Sequence, residues 1–422
     1  MGVILFLLLI LCAHLSLYAI PALNLPRIFA QPDGSPLVLR QWGDERIGGF
    51  ETLEGYTVIK DSRGYWVYAG IDTDGRLVPT HWRADGPPPV GIPKHVRPKN
   101  KATFLRAMSF IKAQQRRVVN PSGTGQLPVI LVNYSDTTIT FTRADFQRVF
   151  FGDGTGSLKD YYREVSYGNF SVTGSVTGWI QLSKSRAYYG ADDPNVPIID
   201  VNVGELVYEA VQLADSQLDY SVFDTDGDCR VDVVAIVHQG FGQEASGDSN
   251  DVWSHRWVLS SAFGRSYVSS DPCGADPSRN VEVEDYFIVP EMLPPSDILT
   301  VGVPAHEYAH ALGIPDLYDI DYTSRGVGAW SLMAAGSWNY QTVPGDRPAH
   351  LGPWEKASLG WVNPNKLRVS TSNIRISPVE TDQGSVYQIL DGTPGSTCEY
   401  FLIENRRRIG FDAGLPGEDL LI

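Results

Sequence analysis

Apolar and polar positions alternate in two different ways along the chain. From about residue 23 to about residue 80, short apolar and aromatic runs are broken by Gly, Asp and Pro, as in "QPDGSPLVLRQWGDE" and "ETLEGYTVIKDSRGYWVYAGIDTDGRLVP". This pattern predicts a set of β-hairpins. The Pro-rich "DGPPPVGIPKHVRPKNK" then reads as a linker, and the basic, helix-like "FLRAMSFIKAQQRR" ends on Arg116 and Arg117. Beyond the turn-rich "VNPSGTGQ" the pattern changes. "LPVILVNYSD" and "VDVVAIVHQG" are short, nearly continuous apolar runs and predict buried strands. "TRADFQRVFFG" and "SLKDYYREVSYG" read as helices closed by glycine, "DVNVGELVYEAVQLADSQL" has helical spacing, and "NFSVTGSVTGWIQL" alternates like a strand or hairpin. The expected fold is mixed, α/β or α+β. It divides into a leader over 1–22, a small β-rich module with its linker over 23–117, and a larger unit over 118–422 whose first strand begins near Leu127.

The 422 residues suffice for two or more cores. A net charge of −15 argues against nucleic acid as a partner, since phosphate binding needs a basic patch. The first residues, "MGVILFLLLILCAHLSLYAIPA", have the apolar core and small residues (Ala19, Ala22) of a secretory signal peptide, though no Lys or Arg precedes the core. The rival, an uncleaved anchor, is weakened because His14 and Ser16 interrupt the run. The expectation is a secreted protein with no stable membrane association. Of four cysteines, Cys12 lies in the leader, and Cys229–Cys273 is the preferred disulfide among Cys229, Cys273 and Cys398. The chain stops on the strand-like "GEDLLI", which reads as truncation.

The chemistry concentrates in "HEYAHALGIPD", residues 306–316. Residues four apart share a helix face, so His306 and His310 can point at one ion. Glu307 lies about 100° round the helix, placed to act on water beside the metal without binding it. This is the His-Glu-x-x-His pattern of metallopeptidases. Gly313 can end the helix and Pro315 forbids its continuation. Asp316 then stands at the third-ligand spacing of metzincins, where that group usually has His. Two His and one Asp leave a fourth position open, as catalytic zinc requires. Asp319, Asp321 and Glu355 in "GPWEKASLGW" are competing third ligands.

Other positions carry weaker signals. Met333 in "GAWSLMAAGSW" sits where a methionine turn underlies such metals. Tyr340 and His350 are candidate oxyanion stabilisers. His255 in "VWSHRW" reads as a structural or cleft-wall residue, not a ligand. "DTDGDCRVD" sets Asp224, Asp226, Asp228 and Asp232 at loop spacing that suits calcium's oxygen preference, without being an EF-hand. Asn133 and Asn169 head glycosylation sequons.

Together with "GSLKDYYREVSYGNFSVTGSV", "RAYYG", "PAHLGPWEKASLGW" and "YFLIENRRRIGFDAGLPGEDLLI", these stretches resemble the immune inhibitor A group of secreted zinc metallopeptidases, from about Gln31 to the last residue. The resemblance implies a metzincin-like zinc endopeptidase acting on proteins or peptides and made as a zymogen, with residues 23–117 as its propeptide. It assigns zinc to His306, His310 and Asp316, general-base duty towards zinc-activated water to Glu307, and the turn to Met333. Two departures stand out. Pro304 should start the zinc helix a turn late. Residues 23–117 hold no Cys, so latency needs an acidic side chain or steric blockage, with activating cleavage expected near Arg117. A binding or adhesion protein with a structural metal, and a zinc hydrolase for non-peptide bonds, are the rival functions.

Overall fold

The computed structural model describes residues 20–98 and 117–422, apart from 46, 194–195, 320–321, 323, 368–371 and 391–399. The leader's apolar run, Cys12, the basic segment 104–116, Asp321 and Cys398 lie outside the described residues.

The hairpin pattern of the first part forms one antiparallel meander of six strands: Arg27–Ala30, Pro36–Gly43, Gly48–Thr52, Thr57–Lys60, Trp66–Ile71 and Leu77–Arg83. Its turns use aspartates that fold back on their own backbone. Asp61 accepts from the N–H groups of Arg63 and Tyr65, and Asp72 from those of Asp74 and Arg76. Leu37, Leu39, Val58, Trp66 and Tyr68 form its core, with Phe29 and Phe50 packed against them. Among its described residues the Pro-rich stretch forms no helix or strand, yet it is tied to the meander. The Val96 carbonyl accepts from Thr57 Oγ1 at 2.8 Å, and the Arg97 guanidinium lies 3.8 Å from the Trp42 ring centroid.

The larger unit is built on a mixed sheet. In spatial order its main strands are His255–Val258, Asp285–Leu293, Val234–Phe241, Gly123–Asn133 and Phe170–Gln181. The last four run parallel, and His255–Val258 pairs antiparallel at the edge. The segment left open between strand and hairpin is thus one long strand, Phe170–Gln181. Strand alternation divides the apolar residues between two faces. Leu127, Val129 and Leu131 join a core with the helices Arg143–Phe151, Leu158–Val165 and Gly302–Ala311. Ile130 and Val132 face the opposite way, into a core with the helix Val203–Ala214. Burial on both faces explains the nearly continuous apolar strands. Ser157 caps the Leu158–Val165 helix by accepting from the Asp160 N–H.

A disulfide joins Cys229 to Cys273 and ties the aspartate loop to the hairpin Tyr267–Pro272/Asn280–Val283. Towards the C-terminus, the strands Asn365–Leu367, Tyr387–Leu390, Tyr400–Arg406 and Asp419–Leu421 form a second sheet. Beneath it Arg406 is fully buried. Its Nε and Nη2 donate to Asp412 (2.9 and 2.7 Å), and Nη1 donates to Glu404 (2.9 Å) and to the Trp330 carbonyl (3.1 Å). No described helix is long and apolar enough to cross a membrane.

Two stability outcomes follow from these contacts. Replacing Cys229 and Cys273 by Ala is expected to cost about 4 kcal/mol for a crosslink closing a loop of this length, read as a lower denaturation midpoint; an unchanged midpoint rejects that contribution. Arg406→Met strands the buried carboxylates of Glu404 and Asp412 and should cost about 3–5 kcal/mol. A thermal scan with wild-type Tm would contradict it.

Candidate active site

The motif segment forms the helix Gly302–Ala311, every residue of which is buried. Its start corrects one expectation. Pro304 does not delay the helix, because its missing N–H falls among the first donors, which have no partner within a helix. Gly302 lets the helix begin against the neighbouring chain: a Cβ there would lie 2.1 Å from the Ser337 carbonyl oxygen. At the other end Gly313 has φ 84°. Its N–H bonds to the His310 carbonyl (3.0 Å) and the Ile314 N–H to that of Ala309 (3.1 Å), the paired bonds of a Schellman turn. Residues 117–119 close the same end. The N–H groups of Val118 and Val119 donate to the Ala311 carbonyl, and Arg117 Nε to that of Leu312.

The Schellman turn also orients a histidine. It brings the Ile314 carbonyl to His310, whose Nδ1 donates to it at 2.8 Å. His306 Nδ1 donates likewise to the Leu332 carbonyl at 2.9 Å. A carbonyl only accepts, so both Nδ1 atoms carry protons, and in the neutral rings the Nε2 atoms are the ones available to a metal. The two Nε2 atoms lie 3.3 Å apart. Asp316 Oδ1 is 3.0 Å from His306 Nε2 and 3.6 Å from His310 Nε2. All three side chains are buried. Two imidazole nitrogens and a carboxylate oxygen converging in this way form a donor set of the kind that binds a divalent cation. Two nitrogens about 2.0–2.1 Å from a tetrahedral zinc ion are themselves about 3.3 Å apart. The donor set therefore fits zinc by chemistry and spacing.

Glu307 is fully buried beside this cluster. Burial, reinforced by Asp316 and opposed by His306 and by an N–H bond from Ile20, pushes its carboxyl up to about 8. That N–H bond is unexpected. Ile20 N donates to Glu307 Oε1 at 3.2 Å. The next residues continue through the cleft. Trp253 Nε1 donates to the Ile20 carbonyl (3.1 Å), Trp338 Nε1 to the Pro21 carbonyl (2.7 Å), and Leu23 N–H to the Glu244 carbonyl (2.8 Å). Ile20–Ala22, read from sequence as the end of the leader, are thus packed inside the site. Trp253, Trp338 and Glu244 were also missed, because nothing in their local pattern signals a cleft. Glu244 is buried, accepts from Ser254 N and Oγ, and is pushed up to about 7 by burial.

The remaining candidates scatter. Met333 is fully buried, and its carbonyl accepts from the Leu317 N–H at 2.7 Å, which joins its turn to the Asp316 loop. Asp319 accepts from the Ser324 N–H, and Glu355 from Ser331 and Gly352, so neither completes the His306, His310, Asp316 group. His350 is corrected as an oxyanion candidate. Its Nε2 is held by Glu164 (2.9 Å) and its Nδ1 by Lys356 (3.2 Å), within the buried ionic layer. Tyr340 lies about half-exposed on the loop after the Ala335–Trp338 turn. His255 is structural, between the Trp253 carbonyl and the Tyr286 hydroxyl. In the aspartate loop, Asp224, Asp226 and Asp228 bring oxygens within 4.8 Å of one another. Asp232 turns away to Thr225 and leaves that set, which corrects its grouping.

Comparison with known proteins bears on this geometry. Residues 133–362 match the catalytic domain of the immune inhibitor A peptidase M6 family, more than half of the 422 residues. The chain is 34% identical over 248 residues to the pre-pro-metalloprotease PrtV of Vibrio cholerae serotype O1, an alignment covering 52% of this chain and 26% of PrtV. It is 33% identical over 260 residues to immune inhibitor A of Bacillus thuringiensis subsp. alesti, covering 51% of this chain and 35% of that protein. The matches thus span between a quarter and about a third of these relatives' length. The helix with His306 and His310, the turn with Met333 and the helix with Glu355 all fall within the matched span, and the chain belongs to the immune inhibitor A peptidase M6 family.

Proposed function

We propose that this chain is a secreted, zinc-dependent endopeptidase held latent by its own N-terminal segment. The convergence of His306 Nε2, His310 Nε2 and Asp316 Oδ1 within 3.6 Å carries the reading. Membership of a metallopeptidase family favours it over a binding protein with a structural metal. His306, His310 and Asp316 would hold the zinc in a metzincin-like arrangement, over the Met333 turn. When bound, zinc polarises the scissile carbonyl and acidifies water. Glu307 takes the proton of the attacking water and delivers it to the leaving amine nitrogen. Its burial suits that exchange, because a carboxylate stripped of water holds a proton more readily. The substrate class is protein or peptide.

Latency is supported by the cleft's contents. Ile20 occupies the contact to Glu307 that an attacking water needs, and Leu23 is buried with it. A leader ending at Ala19 would leave these residues with the folded chain. The propeptide expected over residues 23–117 would then begin at Ile20, and its blockage is steric and needs no cysteine. Arg117, anchored on Leu312 and Ser358, would lie at the edge of what remains after processing.

Elemental analysis and casein digestion test the reading on the full chain, before and after mild trypsin treatment. Wild type should carry one zinc per chain and digest after treatment, His306→Ala should lose both, and Glu307→Gln should keep zinc while digestion falls by about 10²–10⁴-fold. Folded wild-type protein without zinc would end the peptidase reading. For latency, Leu23→Asp places a charge in the buried segment. Digestion before trypsin should rise severalfold at unchanged zinc content. Digestion that still waits for trypsin would rule out this segment as the block.

A further inference from the structure

Glu355 lies behind the metal centre and connects to it through one turn. The helix Pro353–Ser358 presents it at the third position, where its Oε2 accepts from the Gly352 N–H. Its Oε1 accepts from Ser331 Oγ at 2.6 Å. Ser331 Oγ in turn accepts from the Met333 N–H at 3.0 Å. Between those two residues stands Leu332, whose carbonyl receives the His306 Nδ1 proton. Ser331, Leu332, Met333 and Glu355 are all buried. One carboxylate therefore closes the turn whose middle carbonyl orients a histidine of the metal cluster.

We propose that Glu355 is a positioning residue of the metal centre, acting through Ser331 to fix the Leu332 carbonyl and hence the tautomer and ring angle of His306. The inference rests on the reading of His306 as a zinc ligand. Its physical basis is the asymmetry of buried polar groups. The Ser331 hydroxyl can accept from Met333 only while its own proton is directed elsewhere, and Glu355 supplies that acceptor. Burial pushes the Glu355 carboxyl up to about 7, against the Ser331 and Gly352 bonds and the nearby Arg406, while Glu404 adds to the rise. A buried acid is costly unless its bonds are made, and here both of its oxygens are bonded. Glutamine fills the same space but cannot accept on both ends. With its oxygen on Gly352 N–H, its amide N–H₂ faces Ser331, and the hydroxyl loses its acceptor. The turn is then free to shift, and His306 with it. Partners one bond removed from a metal ligand commonly change metal affinity by about 10–100-fold. Acting at one further remove, Glu355 belongs at the low end of that range.

The test uses the full chain and needs no proteolysis. Zinc affinity is measured by chelator competition, and the ligand field by the visible absorption of the cobalt(II)-substituted protein. Variants are Glu355→Gln, Ser331→Ala and their combination. Tyr220→Phe serves as a control: it removes a buried hydroxyl bond to the Val211 carbonyl on the other face of the sheet. Each single variant should weaken zinc binding about tenfold and shift the cobalt bands. The double variant should be little worse than either single, because both act on one path. Tyr220→Phe should lower thermal stability and leave metal affinity and spectrum unchanged. Should Glu355→Gln fail to fold, Ser331→Ala decides alone. Tight zinc in wild type with unchanged affinity and spectrum in the folded variants overturns this inference and leaves the peptidase reading intact. A wild type that takes up no zinc overturns both.

Discussion

Two imidazole protons, each committed to a backbone carbonyl, set the geometry on which the site depends. His306 gives its proton to Leu332 and His310 to Ile314. With both Nδ1 atoms used, neither ring can turn over without breaking a buried bond, so both Nε2 atoms stay aimed at one point. The two carbonyls come from very different places. Ile314 is four residues beyond His310 and arrives through the glycine turn that ends the helix. Leu332 is 26 residues beyond His306, in a turn held by Ser331, Met333 and the ionic layer behind them. The helix itself buries all ten residues, so it cannot shift relative to the sheet without repacking a core.

Charge is distributed to suit this arrangement. Around the donor set the buried groups are acids and histidines: Glu307, Glu244 and Asp316 beside His306 and His310. Burial pushes Glu307 and Glu244 well up, and among the charges near Glu307 those of Asp316 and Glu244 add to its rise. The Ile20 N–H and the Ser254 N–H and hydroxyl offset part of this repulsion at Glu307 and Glu244, and a divalent cation held by the donor set would offset more. On the far side the cations are part of the fold. Arg406 and Lys356 meet Glu404, Asp412 and His350 in a layer that also binds the Trp330 carbonyl, at the entry to the Ser331–Met333 turn. The two layers meet through the backbone of that turn, so the cations of the rear layer hold in place the carbonyl that orients His306.

What was legible in the sequence is what lies close in sequence. The helical offset of His306 and His310, the glycine stop and Asp316 span eleven residues, and all three donors converge as their spacing requires. The strands Gly123–Asn133 and Val234–Phe241 were legible because burial on both faces leaves no polar alternation to confuse them. The N-terminal hairpins were legible because Asp and Gly mark their turns. Side-chain direction was not. His350 and Asp232 have the right chemistry, but Glu164, Lys356 and Thr225, brought up by tertiary packing, turn them elsewhere. Glu355 was read as a possible ligand from its type and its helix. Its actual partner, Ser331, is 24 residues away, and no spacing rule connects them.

The least legible feature was the segment in the cleft, and the reason is physical. Its contacts join residues separated by 233, 287 and 317 positions. Closing such long loops costs little more than closing short ones, since the entropy grows only with the logarithm of length, so distance along the chain does not prevent docking. Nor does docking require a recognisable motif. Glu307, Trp253, Trp338 and the Glu244 carbonyl engage the amide and carbonyl groups of Ile20, Pro21 and Leu23, which every peptide carries. Among these bonds none reads a side chain. A cleft that holds its own chain by main-chain atoms offers the same donors and acceptors to any extended peptide that replaces it. The contacts that fill the site are therefore made to groups that any extended peptide carries, whatever its side chains.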